Sequence, residues 1–308
     1  MLLPDLVPGA MEHEEFRTLV WPLGVPTALI ADDPRLLVAA AAACPDSPAA
    51  VATAGSGIEI RLETATTPSS SMSCAIEVQG SRLRVTGADF EGSADAIARR
   101  GACAVPTRLF DHPELLAAEL LDPILLFLLT RCDRTPVHAA GIVVDRTAIL
   151  LSGPSGTGKS SLAYAAAQCG VPILSDDTVY VQLEPGFRVW GLPRAIHLLP
   201  QDAPPGLHPI RIRGGRSKAA VTVGDNSAQA CADRAVLVLL EPGSRPSLTP
   251  VAVDDARAAL ARLEPGFDLL PDQSASAAEA LIKDGAWRLT LGSQPDEAVA
   301  LLLAELPL

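Results

Sequence analysis

Positive charge is scarce in this chain of 308 residues, where 24 lysines and arginines stand against 36 aspartates and glutamates for a formal net charge of -12. A field of that sign repels polyanions, which argues against nucleic acid or an anionic membrane surface as the main partner. Any phosphate ligand must then be held by a local positive site. Paired cysteines are lacking too. Cys44, Cys74, Cys103, Cys132, Cys169 and Cys231 are scattered, with no C-x-x-C and no histidines at metal-ligand spacing around them. That pattern excludes a zinc ribbon or a disulfide framework and reads as buried, reduced thiols of a cytoplasmic protein. Long apolar runs are absent as well: the most apolar segment, Leu115 to Leu129, is interrupted by Glu119, Asp122 and Pro123, too short and too charged to span a bilayer. The opening "MLLPDLVPGAMEHEEF" has no basic start and no apolar stretch of signal-peptide length. A soluble protein is expected.

What is present falls into two parts, with a boundary near Asp111, so that residues 1–110 and 111–308 are read as two domains. In the first, "IEIRLET" and "CAIEVQGSRLRVTG" alternate apolar and polar residues as half-buried strands do, and "DDPRLLVAAAAAC" reads as a helix capped by Asp32 or Asp33 with Pro34 in its first turn. In the second, "DHPELLAAELLDPILLFLLTRC" predicts a long helix kinked or broken before Pro123. Two apolar strands follow in "VHAAGIVVDRTAILLSG", turning at Asp145 and Arg146. A glycine loop, a helix ending at Gly170 and the strand "VPILSDDTVYVQL" come next, and "GFRVWGLPRAIHLL" and "RAVLVLLEPG" read as further strands. "VDDARAALARL" reads as a helix capped by Asp254 or Asp255. The proline- and glycine-rich stretch from Pro200 to Lys218 reads as a long surface loop.

The chemistry concentrates in Gly153-Pro154-Ser155-Gly156-Thr157-Gly158-Lys159-Ser160, a full G-x-x-x-x-G-K-S between an apolar strand and an alanine-rich helix. Glycines let backbone N–H groups turn inward around phosphate oxygens, and the helix N-terminus adds its positive end. Lys159 would reach the β- and γ-phosphates of a nucleotide and the Ser160 hydroxyl would ligate magnesium. Asp176 and Asp177 end the strand one helix later. A crossover in a parallel sheet returns to the same edge, so both carboxylates are expected beside the phosphates, one for the metal and one for the proton of an attacking hydroxyl.

The stretch from Pro136 to Val181, carrying "VHAAG", the glycine loop and "ILSDD", resembles the catalytic core of the HPr kinase/phosphorylase family, and the N-terminal half is more similar to its stand-alone members, some of which are peptide-tailoring kinases, than to the classical bifunctional enzyme. The likeness is looser through "VWGLPRAIHLLP", where that family has a glycine-containing signature. The resemblance implies an α/β P-loop kinase domain, related to phosphoenolpyruvate carboxykinase, after a smaller mixed α/β domain, for which position alone suggests acceptor recognition. It also implies ATP and Mg²⁺, a serine or similar alcohol as acceptor, Asp176 as the base, Asp177 near the metal and His138 close to the γ-phosphate. Hexamers in classical relatives permit, without establishing, a homo-oligomer. Ser161 departs from the glutamate the family commonly has after the loop serine, and no reverse, phosphate-dependent activity is expected.

Arg211, Arg213, Arg216 and Lys218 crowd four cations into the Pro200–Lys218 stretch, and Arg194 sits inside "GLPRAIHL". They read either as a clamp on nucleotide phosphates or an acidic acceptor, or as a solvated basic loop making internal ion pairs. His13, His112, His197 and His208 read as structural or surface residues. The leading reading is an ATP-dependent kinase acting on a hydroxyl. The alternatives are an ATPase, in which Glu241 at the end of "AVLVLLE" imitates a Walker B acid, and a nucleotide-sensing module without an acceptor.

Overall fold

The computed structural model describes residues 15–44, 57–65, 75–192, 195–207, 210–211 (backbone only), 217–222, 230–261 and 270–307. It is a mixed α/β protein with several sheets, and the described residues divide into two compact units, the first ending at Leu128 and the second starting at Leu129. The sequence alone places its boundary earlier, near Asp111.

The first unit is built on seven strands: β1 (Phe16–Val20), β2 (Thr27–Ala31), β3 (Ile58–Thr64), β4 (Ala75–Gln79), β5 (Arg82–Thr86), β6 (Glu91–Asp95) and β7 (Arg100–Val105), in the order β1-β2-β3-β7-β6-β5-β4. β2, β3 and β7 are parallel neighbours and the other pairs are antiparallel. The period-2 pattern of "IEIRLET" is realised literally: Ile58, Ile60 and Leu62 are buried and Arg61 and Glu63 are exposed. Helix α1 (Pro34–Ala43) is capped by Asp33, whose Oδ1 accepts the Arg35 N–H at 2.7 Å. Asp32 does another job, accepting from the Thr64 N–H and Oγ1 at the end of β3.

The expected long helix arrives in three parts. α2 (Pro113–Leu116) runs through a π-helical turn, Ala117–Leu121, into α3 (Asp122–Thr130). Pro123 has no N–H to give the preceding turn, and the wider turn just before it replaces the break.

In the second unit the strands are β8 (Thr135–Val137), β9 (Ala139–Val144), β10 (Thr147–Ser152), β11 (Ile173–Ser175), β12 (Val179–Gln182), β13 (Arg188–Gly191), β14 (Ile196–Leu198), β15 (Ile210–Arg211), β16 (Ser217–Val221), β17 (Cys231–Ala232), β18 (Arg234–Pro242), β19 (Ser247–Val251) and β20 (Ala286–Leu291). The helices are α4 (Lys159–Gln168), α5 (Val253–Leu260), α6 (Pro271–Ile282) and α7 (Pro295–Glu305). The central sheet has the order β11-β9-β10-β18-β20-β19. β10, β18 and β20 are parallel neighbours, while β9, β11 and β19 are antiparallel to theirs.

Both faces of this sheet are covered, which is why β10 reads as a continuous apolar run. Ile149 and Leu151 pack with Leu162, Ala163 and Ala166 of α4 and Val299 and Leu302 of α7. Ala148 and Leu150 pack on the other side with Ala256 of α5, Ala277, Leu281 and Ile282 of α6, and Val179, Val181 and Val189 of the small sheet β17-β13-β12-β8. The turn between β9 and β10 falls on Asp145 and Arg146, at φ of 46° and 66°.

Three expectations need correction. α5 is capped by the backbone of Ala252, with Asp254 and Asp255 two and three positions inside, in the first turn. Cys169 is exposed, whereas Cys44 and Cys103 are buried and Cys132 and Cys231 half-buried; all five are free thiols. The Pro200–Lys218 loop is shorter than expected, because "IRIR" begins with a β15 that pairs with β16, and β16 pairs on its other side with β14. Among the described residues no helix is long and apolar enough to cross a membrane.

Candidate functional site

The direction of β10 decides what meets at its end. β10 runs towards Ser152 and the glycine loop, and its parallel neighbour β18 ends on the same edge with Glu241 and Pro242. β9 runs the other way, so Ala139, opposite Ser152, is its first residue and His138 sits immediately before it on that edge. β11 reverses again and ends there with Ser175, followed by Asp176 and Asp177. The crossover through α4 therefore returns to the edge of the glycine loop, but it skips a position: β9, antiparallel, is inserted between β10 and β11. Strands lie about 4.8 Å apart, so the β11 end starts roughly 10 Å from the β10 end.

The loop itself is a backbone device. Gly156 and Gly158 adopt φ of +87° and +109°, values that side chains other than glycine rarely reach, and α4 starts directly after Gly158. The Thr157 hydroxyl and amide both donate to the Pro154 carbonyl, at 2.6 and 3.2 Å. Pro154, Ser155 and Gly156 at the tip are exposed. Lys159, one of three lysines in the chain, is only 6% exposed, and its Nζ donates to the carbonyls of Gly153 at 2.6 Å and Pro154 at 3.3 Å. Its ammonium is folded onto the loop it belongs to. Ser160 and Ser161 follow, half-buried, in the first turn of α4.

The two aspartates part company. The buried Ser175 Oγ accepts the N–H groups of Asp177 and Thr178 at 3.5 and 3.3 Å, closing the turn after β11. Asp176 is 9% exposed, and its Oδ2 accepts the backbone N–H of His197 at 2.8 Å, with His197 Nδ1 3.6 Å away. The Asp177 side chain is 60% exposed, and its Oδ1 lies 3.7 Å from Nδ1 of His138, a largely buried residue. Each carboxylate thus faces a different histidine. His197 is the residue that sequence reasoning missed: it reads there as a bystander, and nothing local marks it, since its partner lies 21 positions upstream.

No family model matches this chain, and no curated protein matches it. Among solved structures, it is similar to the HPr(Ser) kinase/phosphatase from Coxiella burnetii, at 13% identity and a TM-score of 0.30, over 55% of this chain and 92% of that one.

A buried tryptophan lies on the strand that packs closely against β11. Trp190 of β13 is fully buried, donates its Nε1 proton to Gln182 at 2.9 Å, and lies against the guanidinium groups of Arg134 and Arg188. Burial pushes the Arg134 guanidinium down to about 10, so it stays charged at neutral pH. Next to Trp190, Gly191 crosses β11 so closely that an added Cβ would stand 2.1 Å from the Leu174 carbonyl oxygen.

On the far side of β10, Glu241 accepts from the Thr290 hydroxyl at 2.9 Å and pairs with Arg288 at 3.5 Å. Of the five cations considered above, Lys218 is half-buried on β16 and Arg211 is placed by its backbone on β15; Arg194, Arg213 and Arg216 lie outside the described residues. Among the described residues no group of three His, Cys, Asp or Glu could hold a metal ion by itself.

Proposed function

We propose that this chain is an ATP-dependent kinase that transfers the γ-phosphoryl group to a hydroxyl, on a serine of a protein or peptide or on a small alcohol. The observation that carries the reading is the convergence of the glycine loop, Lys159, His138 and the Asp176–Asp177 turn on one edge of the central sheet. The loop amides and the α4 N-terminus cradle the phosphates. Lys159 exchanges its loop carbonyls for β- and γ-phosphate oxygens, and His138 lies near the γ-phosphate.

Magnesium is commonly held by one or two carboxylates together with substrate phosphates, so the lack of a three-residue cluster does not disqualify the site. Ser160 and the exposed Asp177 are the oxygens that fit it. When bound with the nucleotide it supplies charge neutralisation at the phosphates.

Asp176 is the base. The acceptor O–H gives its proton to Asp176, the acceptor oxygen bonds to the γ-phosphorus, and the bond from that phosphorus to the β–γ bridging oxygen breaks, releasing ADP. Positioning and charge stabilisation account for most of the acceleration. The sequence resemblance to HPr-kinase-like proteins supports a serine hydroxyl as acceptor. A second reading, acceptor-independent ATP hydrolysis, draws on Glu241, whose strand is the immediate neighbour of β10.

The test is incubation with γ-labelled ATP, magnesium and a panel of free serine, serine-terminated peptides, small phosphocarrier proteins and simple alcohols. Acceptor phosphorylation that Asp176→Asn abolishes while nucleotide affinity stays within about twofold is expected. Phosphate release without any modified acceptor, lost in Glu241→Gln and kept in Asp176→Asn, would replace the kinase with the ATPase.

A further inference from the structure

Two nitrogens of His197 address the same atom. Its backbone N–H donates to Asp176 Oδ2 at 2.8 Å, and its imidazole Nδ1 stands 3.6 Å from that oxygen, within ion-pair reach and just beyond a formed hydrogen bond. Hydrogen bonds at catalytic groups are often long before substrate binds and shorten afterwards.

The residue delivering these groups is well anchored. β14 pairs with β16 through His197 and Ala220, and Ile196 and Leu198, on either side of His197, are 0% and 1% exposed in the core against α4. Alternation along the strand turns His197 the other way, so the packing that buries its neighbours also aims its imidazole at Asp176.

We propose that His197 is a positioning residue for Asp176: its amide and imidazole together hold Oδ2, which fixes the carboxylate and leaves Oδ1 as the oxygen that takes the acceptor proton. The catalytic consequence rests on the kinase reading; the tether itself does not. Any residue but proline at position 197 would supply the amide. The inference concerns the imidazole, which a merely structural strand residue would not need.

Two variants isolate it. His197→Asn keeps an N–H donor close to where Nδ1 stands, and His197→Leu removes it while keeping the bulk. A lost hydrogen bond to a charged group leads to an expected fall of about tenfold in kcat for the leucine variant. KM for ATP stays unchanged, and the asparagine variant recovers to within about threefold of wild type. Equal losses in both variants, or none in either, would overturn the proposal.

A second measurement needs no turnover. With only five histidines in the chain, selective ¹⁵N-histidine labelling gives few enough imidazole signals to assign His197 by its absence from the asparagine variant. A proton on Nδ1 that is lost or redistributed in Asp176→Asn is expected, because the partner of one ring nitrogen sets the protonation of the ring. An unprotonated Nδ1 that ignores Asp176→Asn would sink the tether. If no acceptor is ever phosphorylated, the kinase reading fails and this spectrum still decides whether His197 holds Asp176.

Discussion

The seven-stranded sheet of the first unit and the glycine-loop edge of the second treat their charges in opposite ways. On the seven-stranded sheet, charged residues face solvent and meet one another: Arg82 with Asp95 at 3.4 Å, Arg100 with Glu59 at 3.7 Å and Arg84 with Glu91 at 3.7 Å. The first two pairs are direct cross-strand neighbours. At the glycine-loop edge of the second unit, Lys159 and Asp176 are almost wholly buried, and their short contacts go to main-chain carbonyls and to an amide. Burying a charge is costly unless it is well hydrogen-bonded, and both of these groups are. Charge on the first sheet is spent on itself; charge at the second sheet's edge is held by the main chain.

The comparison breaks most visibly at Lys159. Replacing it with alanine removes the one buried cation from the loop and leaves the Gly153 and Pro154 carbonyls without that donor. The proposed phosphoryl transfer should fall by a factor on the order of 100 to 1000, the usual cost of removing one preorganised charge-stabilising donor. Nucleotide affinity should fall with it. Titration calorimetry with ATP and a turnover assay check both; affinity and turnover within a few-fold of wild type would remove the loop from the site.

The next effect is structural and reaches Asp176 indirectly. Gly191→Ala places a Cβ against the Leu174 backbone, with 2.1 Å to its oxygen and 2.4 Å to its carbonyl carbon, and backbone cannot swing aside as a side-chain tip can. Overpacking of this kind costs about 3 kcal/mol, which for a unit of this size lowers Tm by about 10 °C. Since β11 must move, transfer should decline even at temperatures where the variant is folded. A thermal scan showing no shift would mean the β13–β11 crossing is looser than described.

How much of this was legible in the sequence follows from the range of the interactions. The glycine loop, the β9–β10 turn and the Asp33 cap are decided within a few residues, so spacing and residue type reveal them. The insertion of β9 between β10 and β11 is a choice of strand partners, settled by two-sided packing of an apolar run that reads the same in either order. The same limit hid His197. Its alternation with Ile196 and Leu198 announces a strand, but its meeting with Asp176 depends on where that strand is laid. What separates Asp176 from Asp177 is a burial difference between adjacent residues, which only the closed turn creates.

The smallest effect completes the comparison from the other side. In the Arg84–Glu91 pair the two side chains are 65% and 59% exposed, and at 3.7 Å the contact is an ion pair without a short hydrogen bond. Water screens such a pair, and holding two long side chains in register costs conformational entropy, so exposed pairs contribute about 0–1 kcal/mol. Arg84→Ala should therefore move Tm by about 4 °C at most and leave the proposed phosphoryl transfer unchanged. What little stability it contributes should vanish at 1 M salt, where the screening length is about 3 Å. A larger loss, or one that persists in high salt, would show that the first sheet relies on its surface charges for more than solubility, and the contrast between self-cancelling and held charge would then have to be drawn elsewhere.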